Sequence, residues 1–239
     1  NDIMDPSAIV EYPRRAFGQK ADLPIAVWYS DEPLSATEKA GGCIFKHLDA
    51  IGRGATVSLD GDNTGCGGGK FYCGFSDMPP HVPAFVSEKE HYKASPELVL
   101  DIIRRTDVRR SPRRYLNLAR IDMLDSFESI EGIVFIASPD IISGLVTWAC
   151  YDRNEPDTVC ALFGSGCANT VTQLANENSR GGYRCFLGMF DPSARIHIAA
   201  DRLSLAIPMS RLGTMLKTMP QCCLFDTHAW SKIRDRLDR

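Results

Sequence analysis

Long apolar runs are missing from this chain. None approaches the eighteen residues that a membrane-crossing helix needs, so no span is expected. There is no C-x-x-C pair, which removes the spacing used by zinc ribbons and thioredoxin-like redox motifs. Neither a G-x-G-x-x-G turn nor a Gly-Lys-Ser/Thr sequence occurs, so the common nucleotide fingerprints are absent. Positive charge is not in excess either. The formal net charge of -3 provides no general attraction for nucleic acid or an anionic membrane, and neither is expected as a partner. The opening residues, 1–6, lack the basic-then-apolar pattern of a secretion signal, and the cytoplasm is the expected compartment.

Cysteine and glycine, by contrast, are plentiful. Nine cysteines, at 43, 66, 73, 150, 160, 167, 185, 222 and 223, are many for 239 residues. Their count is odd, their spacing irregular, and several sit in apolar runs such as Val159-Cys160-Ala161-Leu162-Phe163. That pattern reads as reduced thiols, mostly small core side chains, rather than a disulfide framework. The most distinctive stretch is Thr64-Gly65-Cys66-Gly67-Gly68-Gly69-Lys70. A shorter relative, Gly164-Ser165-Gly166-Cys167-Ala168-Asn169, follows about a hundred residues later.

Hydrophobic content of 44% with 24% charged residues suits a globular body large enough to bury a core. Residues 1–22 are polar, with Pro13-Arg14-Arg15 interrupting any long helix, and read as an N-terminal arm or a short leading helix; residues 23–239 read as one compact domain. Apolar runs at 23–29, 55–59, 132–137, 158–163, 184–190 and 202–207 read as strands, and 115–121 as a further one. Helices are expected over about 43–51, from the Ser95-Pro96-Glu97 cap, from the Ser138-Pro139-Asp140 cap, after Pro208 and after Thr227. The chain after Gly69-Lys70 reads as extended.

Two segments share an order of strand, turn, helix, strand and Gly-Cys loop. Val27 precedes Cys43 by sixteen residues, and Val134 precedes Cys150 by the same interval. The expectation is therefore an α/β fold, with α+β as the alternative. A mixed sheet with packed helices would be built from two similar β-α-β-containing halves, 23–76 and 132–207, joined by a linker over 77–131. Any site is expected where the two Gly-Cys loops meet.

The chemistry available at such loops has three readings. Glycines around Cys66 permit close backbone approach, and successive N–H groups can cradle an anion or favour a thiolate. Gly65, Gly67, Gly68 and Gly166 are accordingly candidate ligand-binding residues, with Cys43, Cys66 and Cys167 as candidate thiols, in a protein that binds a small-molecule or anionic ligand or carries out thiol redox chemistry. Cys66 is also the candidate nucleophile of a cysteine enzyme, with His47 or His197 as base. A metal or iron–sulfur site would draw on Cys66 and Cys167, or on Cys43, Cys66, Cys150 and Cys167 together. Arg195, after the turn Asp191-Pro192-Ser193, is a candidate anion-binding fork. The six arginines between Arg104 and Arg114 are interleaved with Asp101 and Asp107 and read as a solvated face.

The chain resembles the DUF169 family of uncharacterised bacterial and archaeal proteins. The resemblance rests on Pro24-Ile25-Ala26-Val27, on Cys43 with the helix behind it, and on Asn63-Thr64-Gly65-Cys66-Gly67-Gly68 followed by Gly74-Phe75. It continues through Val134-Phe135 with Ser138-Pro139, Ser165-Gly166-Cys167, and the run from Asp191 to Arg195 leading to Ala206-Ile207-Pro208. It implies that Cys43, Cys66, Cys167 and Arg195 belong to a family pattern, and it supplies no activity.

Overall fold

The structure is a computed structural model and describes residues 6–237. Among them, seven strands form one mixed sheet in the order β2-β3-β1-β4-β7-β6-β5. In chain order the elements are α1 (Pro6–Phe17), β1 (Ile25–Ser30), α2 (Leu48–Gly52), β2 (Thr56–Leu59), α3 (Gly67–Tyr72), α4 (Val82–Ala84), α5 (Pro96–Thr106) and β3 (Tyr115–Arg120). They continue with β4 (Ile130–Ala137), α6 (Pro139–Ala149), β5 (Val159–Cys160), α7 (Gln173–Ser179), β6 (Cys185–Gly188), α8 (Pro192–Arg195), β7 (Leu203–Pro208), α9 (Met209–Thr218) and α10 (His228–Leu237). The architecture is α/β, although every strand pair except β5–β6 is antiparallel.

Period-two alternation divides the apolar side chains between two layers. Ala26, Ile133, Phe135, Leu205 and Ile207 face one core, covered by α1, α6, α9 and α10 and filled by Trp148 and Trp230. Val27, Leu116, Leu118, Val134 and Ala206 face the other, covered by a 3-10 turn at Ile44–His47, α2, and the helical run that contains Cys167 and Leu174. Sheet strands that bury both faces read as nearly continuous apolar runs, which is why β1 and β4 are so plain in the sequence.

Each half of the sheet is a split β-α-β unit. β1 and β2 both run antiparallel to β3, which lies between them; β4 and β6 both run antiparallel to β7, which lies between those two. β1 and β4 form the central antiparallel pair. The segment 77–131 is therefore more than a connection, because it supplies the strand that completes the first half. Of the two readings of the N-terminal residues, the leading helix is the one the structure shows. α1 is helical through Pro13, because Ile9, Ala16 and Phe17 are buried in the first core and that packing outweighs the hydrogen bond the proline deletes.

Between β2 and β3 the chain makes a helical excursion over 79–106. It comprises α4, a π-helical turn at Phe85–Lys89, and α5, opened by the expected cap in which Ser95 Oγ accepts the Leu98 N–H at 3.4 Å. Val99 and Ile102 are buried yet belong to neither sheet core. Together with Val82 and Val86 they face a cleft.

The arginine-dense stretch beyond α5 is neutralised locally. Arg104 and Arg105 bond Asp101, Arg109 bonds Asp107, Arg110 bonds Asp77, Arg113 bonds Asp31, and Arg114 lies over the Tyr115 ring.

Candidate functional site

The first Gly-Cys loop is held by contact with the chain before Cys43. The Gly65 N–H donates to Gly42 O at 3.1 Å. A Cβ on Gly65 would lie 2.8 Å from Gly42 Cα, so only glycine lets the two backbones touch. From Cys66 the chain turns into α3, where the sequence suggested extended backbone. Three glycines are poor helix formers, and the difference is tertiary. Cys66 serves as the N-cap, its Sγ accepting the Gly69 N–H at 3.4 Å, and Lys70 N–H reaches Cys66 O at 2.8 Å. Gly69 is buried, with Thr64 and Cys66 closed around the place a side chain would fill.

The second loop is more tightly wedged. A Cβ on Gly166 would meet the Phe45 ring at 2.7 Å and Ala194 Cβ at 3.0 Å. Its N–H donates to Asp191 Oδ2 at 3.4 Å, and its carbonyl accepts from Thr170 Oγ1 at 2.9 Å. The chain then enters a π-helical turn, Ala168–Thr172, buried throughout. Such turns recur beside functional sites, and the other one, at Phe85–Lys89, lines the cleft through Phe85 and Val86.

That cleft, of about 390 Å³, is where the two loops converge. One wall is Cys66, Gly67 and Gly68; the facing wall is Phe163, Gly164 and Ser165. The excursion closes it with His81, Phe85, Tyr92 and Lys93, and Tyr72, Asp191 and Ser193 complete it. The rings are mutually ordered: Tyr92 meets Phe163 edge-on with centroids 6.4 Å apart, and His81 meets Phe85 in the same way at 6.4 Å. Lys93 Nζ sits 5.0 Å from the Phe163 ring centroid.

Asp191 is buried and caps α8, its Oδ1 accepting from Ser193 N–H at 2.9 Å and Ser193 Oγ at 2.8 Å. Among the described residues it forms no salt bridge. Its charge is felt by the phenols nearby. Burial raises Tyr72 first, with Cys167 and then Asp191 adding to the shift. Tyr92 is pushed up to about 12 by loss of solvent, by its hydrogen bond to Glu90, and by Asp191.

The thiols divide sharply. Cys66 is exposed on the cleft wall. Cys43 caps the 3-10 turn half-buried, its thiol raised mainly by burial. Cys167 is buried in the second core. Hydrogen bonding with Cys73 and burial push its thiol well above the ordinary range, and the nearby Cys43 and Cys66 act in the same direction. Cys150 ends α6 and belongs to a different neighbourhood, one shared with Cys185. Among the described residues no group of three or more His, Cys, Asp and Glu is placed to hold a metal ion.

Arg195 is placed away from the cleft. Its guanidinium bonds the carbonyls of Arg202 and Ala200, pinning the loop between α8 and β7. His47 is buried with Nε2 against Gly41 O at 3.0 Å, and neither it nor His197 lines the cleft. The histidine that does is His81, which sequence reasoning passed over, as it did Phe163, Tyr92 and the buried role of Asp191. The one local signal was the density of aromatic and titratable residues over 81–93, in a stretch otherwise read as irregular connection.

A family model, DUF169, described as an uncharacterised ArCR family, matches residues 21–218. The match spans the sheet and both Gly-Cys loops. No curated protein and no solved structure matches the chain.

Proposed function

We propose, for a chain that belongs to the DUF169 family, a small-molecule-binding role in which the ligand enters the cleft between the Gly-Cys loops and meets the Cys66 thiol. One observation carries this reading: an exposed thiol stands in the wall of an aromatic-lined cleft to which both distinctive sequence motifs contribute. Concave, mostly apolar sites with a few convergent polar groups are where small molecules bind, and loops on a rigid sheet are where such groups are carried. Cytoplasmic residence belongs to the same proposal, since all nine cysteines are free and such thiols persist in a reducing compartment. So does the kinship of the two halves, supported by the split β-α-β arrangement on each side of the β1–β4 pair.

The test is alkylation with iodoacetamide, mapped by peptide mass spectrometry, against a library of small metabolites. Cys66 is expected to be modified selectively and protected saturably by a ligand, and Cys66→Ser to abolish the selective event. Modification of Cys66 no faster than that of exposed Cys150, with no compound slowing it, overturns the proposal.

A second reading is a cysteine-nucleophile enzyme, favoured by the presence of His81 in the same cleft as Cys66. It predicts a covalent adduct on Cys66 whose formation, though not ligand binding, is lost in His81→Ala.

A further inference from the structure

Resting on the reading of this cleft as a ligand site, we infer that its ligand is a small organic cation, an ammonium or quaternary nitrogen carried on an apolar body. Charge is the first reason. Asp191 is 7% exposed and lines the cleft without a cationic partner among the described residues. Its Oδ1 is occupied by the α8 cap, whereas Oδ2 holds only the long bond from Gly166 N–H. The carboxylate thus has hydrogen-bond donors but no opposite charge, and a cation reaching Oδ2 would stabilise it further.

The walls are the second reason. Tyr72, Phe85, Tyr92 and Phe163 line the same cleft as this carboxylate, and aromatic faces together with an acid are the chemistry that recognises ammonium groups. One face already carries a cation, since Lys93 Nζ lies over Phe163. The remaining titratable groups on the lining are Glu90, His81, the Cys66 thiol and the Tyr72 and Tyr92 phenols. On the lining two carboxylate side chains, Asp191 and Glu90, stand against one ammonium side chain, Lys93. An anion would have to settle beside Asp191, and Arg195, the guanidinium that sequence reasoning offered for that purpose, is bonded elsewhere. The volume, about 390 Å³, accommodates a drug-sized or smaller molecule.

The experiment measures protection of Cys66 from iodoacetamide by three probes of similar size, benzyltrimethylammonium, 3-phenylpropanol and 3-phenylpropionate. Thermal shifts on Cys66→Ser protein provide a readout independent of the thiol. The ammonium is expected to protect at a concentration at least tenfold below the carboxylate, with the alcohol between them. Asp191→Asn keeps an Oδ1 acceptor for the α8 cap and removes the charge; it is expected to erase most of that preference. Glu90→Gln, at the exposed rim, is expected to reduce it by a smaller factor. Equal or better protection by the carboxylate, or a preference unchanged in both variants, overturns the cation inference and leaves the cleft reading standing. Protection by none of the three overturns the inference also, while selective, ligand-protected alkylation in the metabolite screen decides the broader reading by itself.

Discussion

The two Gly-Cys loops look like versions of one motif and do opposite things with their cysteine. In the first, Cys66 has extended backbone, φ -94° and ψ 121°, and stands before the helix it caps, so its thiol stays on the cleft wall. In the second, Cys167 is already helical, φ -64° and ψ -30°, and the turn it starts runs beneath the loop into the second core. A glycine-flanked cysteine is thus permissive rather than instructive. Glycine lets the backbone come close, and what the backbone comes close to decides whether the thiol meets a ligand or a hydrophobic neighbour.

The largest expected break in that comparison comes from side chains added to the glycines. Gly166→Val has to displace the Phe45 ring and Ala194. It should destabilise by about 1–3 kcal/mol or more, as overpacking does. Gly67→Ala, whose new Cβ lies 3.6 Å from the Pro79 ring, should move stability by less than about 0.5 kcal/mol while altering ligand entry. Urea denaturation of both variants checks the contrast, and equal losses would mean that the loops are equally wedged.

Serine in place of each cysteine sharpens it next. Cys167→Ser puts a hydroxyl among apolar neighbours and should cost about 1–3 kcal/mol. Cys66→Ser should be nearly neutral in stability, because an exposed oxygen can replace the sulfur as N-cap acceptor. Alkylation gives a third contrast: Cys66 should react in the native protein, and Cys167 only at the rate of unfolding.

The smallest effect is a pH dependence. The Cys167 thiol is raised in the folded state. The unfolded chain therefore loses that proton first, and the contribution is full below the unfolded thiol pKa of about 8.5 and declines as pH rises above it. Stability measured between pH 8 and 10 should fall with a slope that Cys167→Ala reduces and Cys66→Ser does not. Cys185, pushed up to about 12, and the raised thiols of Cys43, Cys160 and Cys223 contribute to the same decline and leave a residual slope.

Much of the fold was legible from local pattern. β1 and β4 announce themselves as apolar runs because both of their faces are buried, and α5 and α6 because Ser-Pro at 95–96 and 138–139 marks their first turns. The helical glycines of α3 were not legible, since their state depends on Thr64, Gly42 and the Cys66 cap rather than on propensity. The strand reading of 158–163 was longer than the two-residue β5, and the remainder leaves the sheet to deliver Phe163 to the cleft. Of the candidate site residues, Cys66, Gly67 and Gly68 line the cleft, Gly65 and Gly166 bond Gly42 and Asp191 respectively, Cys43 precedes the 3-10 turn, Cys167 is buried in the second core, and Arg195 braces a loop elsewhere.

The sequence by itself determined family membership, through its match to a family pattern over residues 21–218. It also determined the α/β class, the main strands and the two glycine-rich loops, because these rest on periodicity, caps and backbone freedom within a few residues. Only the tertiary structure decided which thiol faces outward, that a buried Asp191 shares one cleft with Tyr72, Phe163 and the aromatics of 81–93, and that Arg195 does not. Those facts depend on which distant segments fold over the second face of the sheet, and such contacts leave no signature in local spacing.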